Sequence, residues 1–193
     1  RVFDGTSADV AKHWFDGNID LYIKQVKETF PRDKNDSLGY WVRGIAESRV
    51  ENYLEATKYF KLSKWEESFS VPIFSNMQSG NNKKGKALLE KAKSRLNISI
   101  NAGVKFLYSS GMFQPIAMRK MEIAYLEGDI NKAIKHLKVA MINNYIVNFE
   151  YQASPMYKKL RAHTDWFEIM AQSNERAAAQ RELYIELKAK DTF

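Results

Sequence analysis

The sequence predicts an all-α fold: a right-handed solenoid of paired helices, closed by a capping helix near the C-terminal end. Three observations support this prediction. Glycine contributes 9 and proline 4 of the 193 residues, too few for long disordered or linker segments. Residues 127–141, EGDINKAIKHLKVAM, place large apolar side chains at helical rather than strand spacing. A similar pattern recurs along the chain, so that neighbouring amphipathic helices can bury their apolar faces against each other.

The clearest repeat is the stretch SLGYWVRGIAESRVENYLEATKYFKLS, residues 37–63. Small and aromatic residues recur there at a spacing that lets two antiparallel helices approach while rings fill the space between them. The pattern resembles a tetratricopeptide repeat, a helix pair of about 34 residues. The resemblance implies that the following residues pack the pair: Tyr40, Gly44, Tyr53, Ala56 and Phe60. A large residue at Gly44 should force the helices apart, at a cost of about 1–3 kcal/mol.

The same spacing defines three further repeats. A repeat that starts at Gln114 places small packing residues at Gly128, Ala133 and Ala140. One that starts at Phe3 has Tyr22 where a small residue is expected, which indicates a degenerate or terminal repeat. The predicted bounds are 3–36, 37–70, an irregular repeat 71–113, and 114–147, all within a single domain over 1–193.

The irregular repeat contains two ambiguous stretches. Residues 70–82, SVPIFSNMQSGNN, are rich in turn formers, and we expect an insertion there. Apolar residues at four-residue spacing from Leu88 to Tyr108 predict one long helix. Residues 98–106 also alternate between apolar and polar, which alone is typical of a strand. We predict helix, because an isolated strand would leave its backbone edges unpaired.

The repeat pattern ends after residue 141, because Pro155 would break a helix at the next expected position. Ser154 and Pro155 therefore predict the N-cap and first residue of a new short helix. Thr164 is the predicted cap of a helix from about Asp165 to Lys190, so that capping helices span 154–190. The tail is similar to the segment that follows tetratricopeptide repeats in bacterial transcriptional regulators and nucleotide cyclases. This resemblance implies the interaction or sensor part of a larger bacterial regulatory protein.

The family resemblance also implies a peptide groove on the inner face of the array. The positions that line this face correspond to Leu38, Trp41, Ile45, Ser48, Arg49, Met118, Glu122, Tyr125 and Leu126. Chaperone adaptors of the family clamp a peptide's C-terminal carboxylate with Lys and Asn, which this chain replaces with Trp41 and Ile45. We therefore expect an apolar or amphipathic peptide in the groove, or the chain's own C-terminal helix. Trp41→Ala should weaken partner binding and leave the helical content intact.

A basic patch offers a different binding surface. The chain carries a formal net charge of +7, and the segment 83–95 is strongly one-sided. Its members are Lys83, Lys84, Lys86, Lys91, Lys93 and Arg95. Such a run is typical of a solvated helix face, and the alternative is a nucleic-acid-binding surface. A second alternative is a homodimer formed through the aromatic groove residues.

The sequence contains no motif that predicts catalysis. Cysteine is absent, and the three histidines lack metal-ligand spacing. The stretch SGNNKKGK, residues 79–86, differs in spacing from a phosphate-binding loop. We therefore predict a non-enzymatic protein without metal or cofactor, whose partner is a protein or peptide.

The compartment is left open by the sequence. No apolar run approaches the roughly 18 residues of a membrane span. Because residue 1 is Arg, we expect a processed chain or a part of a longer protein. We favour the cytoplasm, and the alternative is a periplasmic part of a membrane-anchored regulator.

Overall fold

A computed structural model describes residues 12–13, 18–30, 36–67, 70–109 and 112–190. These residues are mainly helical, which confirms the predicted helical class, and they include one two-stranded sheet. The chain divides into two compact units, an N-terminal unit of residues 1–95 and a C-terminal unit of residues 96–193. The right-handed solenoid and the single domain over 1–193 stay predictions. The first helix expected in repeat 3–36 lies mostly outside the described residues.

The helices that begin in the N-terminal unit are α1 (Ile19–Thr29), α2 (Ser37–Arg49), α3 (Tyr53–Ser63), α4 (Ser70–Gln78) and α5 (Asn82–Asn101). Helix α2 starts at Ser37 because the Asp36 carboxylate accepts a hydrogen bond from the Leu38 N–H at 2.9 Å. This bond satisfies one of the free donors of the first turn. Helices α2 and α3 form the helix pair expected for repeat 37–70.

Close packing between α2 and α3 centres on Gly44. A Cβ atom built on Gly44 would lie 2.5 Å from Cε1 of Phe60, and Phe60 is fully buried. Ala56 is also fully buried, while the Tyr40 ring stacks on Tyr59 with centroids 6.4 Å apart. Tyr53 packs edge-on against Phe74 of α4 at 5.5 Å. The absence of a side chain at Gly44 therefore makes room for the Phe60 ring.

The stretch 70–82 is not an irregular insertion. Residues 70–78 form α4, and the turn to α5 is confined to residues 79–81. Pro72 lies in the first turn of α4, where a backbone N–H has no helical partner to lose. A Cβ built on Gly85 would lie 2.7 Å from Cγ of Met77, so α4 and α5 approach closely at this glycine. The turn-forming residues at 79–81 therefore connect the two packed helices α4 and α5.

The predicted continuous helix from Leu88 to Tyr108 is wrong at its C-terminal end. Helix α5 ends at Asn101, and Gly103 follows with a φ of +71°. Strands β1 (Phe106–Ser109) and β2 (Met112–Pro115) then form an antiparallel hairpin in which Phe106 pairs with Pro115. The prediction assumed an isolated strand, whereas β2 supplies the hydrogen-bonding partner that makes a strand possible here.

Helices α6 (Ile116–Leu126) and α7 (Ile130–Ile142) form the helix pair of the C-terminal unit. Ala133 and Ala140 are fully buried. Gly128 does not act as a packing residue, which corrects the prediction: a Cβ there would meet nothing within 4 Å. Its φ of +86° instead lets the chain turn between the helices. The Asp129 carboxylate caps α7 by accepting a hydrogen bond from the Lys132 N–H at 2.9 Å.

Three short helical segments and one long helix complete the described part of the C-terminal unit. They are α8 (Phe149–Ala153), the 3₁₀ turn Pro155–Tyr157, α9 (Lys158–Arg161) and the long helix α10 (Trp166–Ala189). Ser154 and Pro155 start the 3₁₀ turn, although the Ser154 side chain makes no capping bond. Thr164 does not cap α10, because the N-cap position is Asp165. The Asp165 N–H donates to Nδ1 of His163 at 3.1 Å instead.

Candidate functional site

Some of the groove residues predicted in the N-terminal unit make contacts within that unit. Ser48 is buried and its hydroxyl bonds to that of Ser75 at 3.2 Å. Arg49 donates to the Tyr22 hydroxyl at 2.7 Å, and its guanidinium lies over the Tyr22 ring. Ile45 is half-buried, and Leu38 is exposed. These contacts leave Leu38 as the most accessible of the five.

Trp41 is half-buried between two aromatic rings rather than displayed on a surface. Its ring centroid lies 5.1 Å from that of Phe60 and 6.2 Å from that of Trp65. Phe60 belongs to the buried core of the α2–α3 pair. Trp41 therefore contributes to the stability of the fold. Its replacement should lower the free energy of unfolding and not only weaken the binding of a partner.

The groove residues predicted in the C-terminal unit are covered by the chain itself. Met118, Glu122 and Tyr125 are buried, and Leu126 is half-buried. The Glu122 carboxylate accepts hydrogen bonds from the Tyr151 hydroxyl at 2.8 Å and from Arg119 at 2.7 Å. The Tyr125 hydroxyl donates to the backbone carbonyl of Met156. These three residues do not face an open groove, because residues 151–157 occupy that side of α6.

The segment that covers the predicted groove residues of α6 is not the long C-terminal helix. The covering segment is 151–157, and Arg161 holds it by donating to the carbonyls of Tyr151 and Ser154 at 3.1 and 2.7 Å. Burial raises the pKa of the Tyr151 phenol well above its usual value, and the nearby Glu122 carboxylate raises it further. The phenol therefore stays protonated and remains a donor to Glu122.

Four of the six residues of the basic patch pair with carboxylates, and three of these four pairs join residues that are distant in sequence. Lys84 pairs with Glu66 at 2.7 Å, whereas Lys91 and Arg95 share Glu67 at 2.7 and 2.8 Å. Lys93 pairs with Glu90 at 2.9 Å along the helix. Lys83 and Lys86 are exposed. The arrangement is typical of a solvated helix face. Basic side chains that already pair with carboxylates are less available to bind the phosphates of a nucleic acid.

A different site, which the sequence analysis did not predict, lies between the hairpin and the α6–α7 pair. It is a cavity of about 530 Å³, and we call it the cationic cavity. Its lining residues come from three segments of the C-terminal unit and are Val104, Lys105, Phe106, Pro115, Ile116, Ala117, Lys120, Lys135, His136, Val139 and Asn143. Its volume is within the range of pockets that bind small molecules or side chains.

Local structure explains how these segments converge. The Ile116 N–H donates to the Lys105 carbonyl at 3.0 Å, which ties the start of α6 to the entry of β1. On α6, Ile116 and Lys120 are four residues apart and face the same side. On α7, Lys135, Val139 and Asn143 follow at the same four-residue spacing. Gly103, with its positive φ, lies in the turn between the end of α5 and strand β1.

The charge of the cationic cavity is uniformly positive. Lys105, Lys120 and Lys135 line it without any Asp or Glu among the lining residues. Within the part of the chain that the structure describes, no carboxylate forms an ion pair with these three lysines. Burial lowers the pKa of His136, and so do the charges of Lys120, Lys132 and Lys135, while Asp129 opposes them. Burial is the largest cause of this lowered pKa, and the lysine charges add to it.

The walls of the cationic cavity are apolar and accessible. Phe106 is 52% exposed, and Val139 is 41% exposed. A concave surface that combines exposed aromatic and aliphatic side chains with a few charged groups is typical of a binding site.

The N-terminal unit has a second cavity of about 540 Å³, lined in part by Arg43, Glu47 and Tyr59. Its buried charges are already satisfied. Arg43 donates to the backbone carbonyls of Phe30 and Lys27 and to the Tyr59 hydroxyl. Glu47 accepts a hydrogen bond from Asn52 at 2.8 Å. These groups stabilise the unit and leave little free charge for a ligand.

Among the described residues, no cluster of three metal-ligating side chains occurs. Because Nδ1 of His163 accepts from Asp165, its Nε2 carries the proton and donates to Asn131 at 3.0 Å.

None of the helices in the described ranges is both long and apolar enough to cross a bilayer.

Comparison with protein-family models, with curated proteins and with solved structures gave no match.

Proposed function

We propose that this protein is a non-catalytic recognition domain, and that its cationic cavity binds a peptide segment of a partner protein. The observation that carries the proposal is the accessible apolar wall of that cavity, formed by Val104, Phe106 and Val139. Folding normally buries such side chains, because each exposed large apolar group forfeits about 1.5–3 kcal/mol of transfer free energy. A bound apolar side chain recovers part of that free energy.

The chemistry of the lining supports recognition over catalysis. The cationic cavity presents lysines, one imidazole and one amide, but neither a carboxylate nor a hydroxyl. Among the lining residues, no carboxylate is available to orient His136 as a general base and no hydroxyl is available as a nucleophile. That the domain is the interaction or sensor part of a larger regulatory protein stays a prediction, as does self-association into a homodimer.

A selection of displayed peptides tests the proposal. The full chain serves as bait for a random peptide library, and the enriched peptides are then measured against the wild type and against Phe106→Ser/Val139→Ser. Both side chains are substantially exposed, so this double variant should keep its fold. We expect at least a tenfold loss of affinity in the variant. Enriched peptides that bind both proteins equally would refute the proposed site.

A variant of the other unit provides the matched control. Leu54→Ser/Leu62→Ser removes two exposed apolar side chains from α3, where they are 59% and 52% exposed. Because these residues do not line the cationic cavity, the control should bind the enriched peptides like the wild type. A loss in this control would place recognition on the N-terminal unit.

A further inference from the structure

Resting on the proposed function, we infer that the cationic cavity recognises an acidic peptide segment in which carboxylates flank a bulky apolar side chain. The lysines of the cavity bind the carboxylates, and its apolar wall receives the central side chain. This inference adds the chemical class of the ligand, which the apolar wall alone does not define.

The first argument is the distribution of ion pairs. Some lysines elsewhere in the described chain pair closely with carboxylates, such as Lys84 with Glu66 at 2.7 Å and Lys138 with Asp165 at 2.6 Å. Lys105, Lys120 and Lys135 share one cavity, and none of the described carboxylates pairs with them. Three like charges around a concave, partly apolar surface repel one another, and an anionic ligand relieves that repulsion.

The second argument is that the three lysines come from three different segments. Lys105 precedes β1, Lys120 lies on α6, and Lys135 lies on α7. The charges therefore surround the cavity and are not aligned along a single solvated helix. The first turn of α6, which contains Ile116 and Ala117, also lines the cavity, and a helix N-terminus adds partial positive charge.

The third argument favours a peptide over nucleic acid. Phe106 is the one phenyl ring in the lining, and Val104, Ile116 and Val139 make up an aliphatic wall. Single-stranded nucleic acid stacks its bases on a series of aromatic platforms. An aliphatic wall instead fits an aliphatic or aromatic side chain. The His136 imidazole adds one N–H donor that can bond to a ligand carboxylate.

Two blocked tripeptides that differ only in charge test the inference. Acetyl-Glu-Phe-Glu-amide and acetyl-Gln-Phe-Gln-amide are titrated separately into the ¹⁵N-labelled full chain at low salt, and amide shifts are followed by NMR. We expect the acidic peptide to bind at least tenfold more tightly, with the largest shifts at Phe106, Lys120, His136 and Val139. Lys120→Gln/Lys135→Gln should remove this preference.

The control variant is Lys83→Gln/Lys86→Gln, which removes two exposed positive charges from the N-terminal unit. It should keep the full preference for the acidic peptide. If it loses the preference as strongly as the cavity variant does, net charge rather than the cavity explains the binding, and the inference fails.

The remaining outcomes separate the inference from the proposed function. Equal binding of both peptides at the cavity would overturn the anionic ligand class and leave a peptide site of apolar character. Shifts outside the cavity, or no shifts with either peptide, would overturn the inference, while the library selection tests the proposed function independently. A ten-residue oligothymidylate that shifts the same amides at a lower concentration would assign the cavity to nucleic acid.

Discussion

The packing at Gly44 makes a quantitative prediction about stability. A Cβ on this residue would lie 2.5 and 2.6 Å from Cε1 and Cδ1 of Phe60. Ordinary van der Waals contact starts at 3.4 Å, so Gly44→Ala requires the two groups to separate by about 0.9 Å. Phe60 is fully buried and its ring packs against Trp41. The ring therefore has no free space into which to move.

Two opposing terms determine the size of the effect. Overpacking a well-packed core costs about 1–3 kcal/mol, and the buried position of Phe60 favours the upper half of this range. Alanine regains about 1 kcal/mol over glycine inside a helix. We therefore expect Gly44→Ala to lower the free energy of unfolding by about 1–2 kcal/mol.

Gly39 provides a control in the same helix. Its Cβ would meet its nearest neighbour, Cβ of Phe30, at 3.6 Å, which is ordinary contact. Gly39→Ala should therefore gain helix propensity and stabilise the protein by about 0.5–1 kcal/mol. The two alanine variants should differ in stability by roughly 1.5–3 kcal/mol, with changes of opposite sign.

The assay is urea unfolding followed by tryptophan fluorescence, because Trp41 lies beside Phe60 and Trp65 lies beside Trp41. An unchanged m-value would show that the unfolding transition itself is the same in each variant. A Gly44→Ala protein as stable as the wild type would refute the close-packing argument. Adding Phe60→Leu should partly rescue Gly44→Ala, with a coupling energy above about 0.5 kcal/mol in a double-mutant cycle.

Three further predictions follow from the structure. Trp41→Ala should cost about 2 kcal/mol, less than the 3–5 kcal/mol of a fully buried ring; unfolding at wild-type stability would mean that Trp41 serves a partner instead. Gly128→Ala should cost about 1–2 kcal/mol because of its positive φ, and Gly128→Asn less, as thermal or urea unfolding can check. The pKa of His136 lies below its ordinary value of 6.5 in the folded protein, because burial and nearby lysines disfavour the charged form. The unfolded chain therefore takes up this proton first as the pH falls through about 6.5, so stability should decline from pH 7.5 to 5.5 and decline less in His136→Gln; parallel pH profiles would contradict this assignment.

Local sequence patterns were sufficient to identify most helices. The periodicity of residues 37–63 and 127–141 predicted helices that the structure contains, since i, i+3 and i+4 neighbours define one face of a helix. Ser154 and Pro155 marked the start of a new segment, because proline cannot occupy a helix interior. The pattern was misleading at 106–109, where the pairing partner lies at 112–115 and apolar spacing suits either structure.

The functional surface was harder to predict. The apolar spacing of α7 correctly placed Leu137 and Ala140 in the core, but it does not show which residues of the hairpin face Lys135 and Val139. The positive run at 83–95 was a candidate binding surface because its charges lie close together in the sequence. The three lysines of the cationic cavity are spread over residues 105–135, so only the fold brings them together. In the sequence these three residues are only isolated lysines, and isolated lysines do not identify a site without the fold.

The sequence by itself determined the helical class, the helix pairs at 37–63 and 116–142, and the lack of cysteine chemistry. These properties depend on composition and on contacts between residues a few positions apart. Tertiary structure alone decided which charges are paired and which surfaces remain open. Glu67 pairs with Lys91 and Arg95 from more than twenty residues away, and residues 151–157 cover Glu122 and Tyr125, which were expected to line a groove. Such outcomes depend on long-range packing, which local periodicity does not encode.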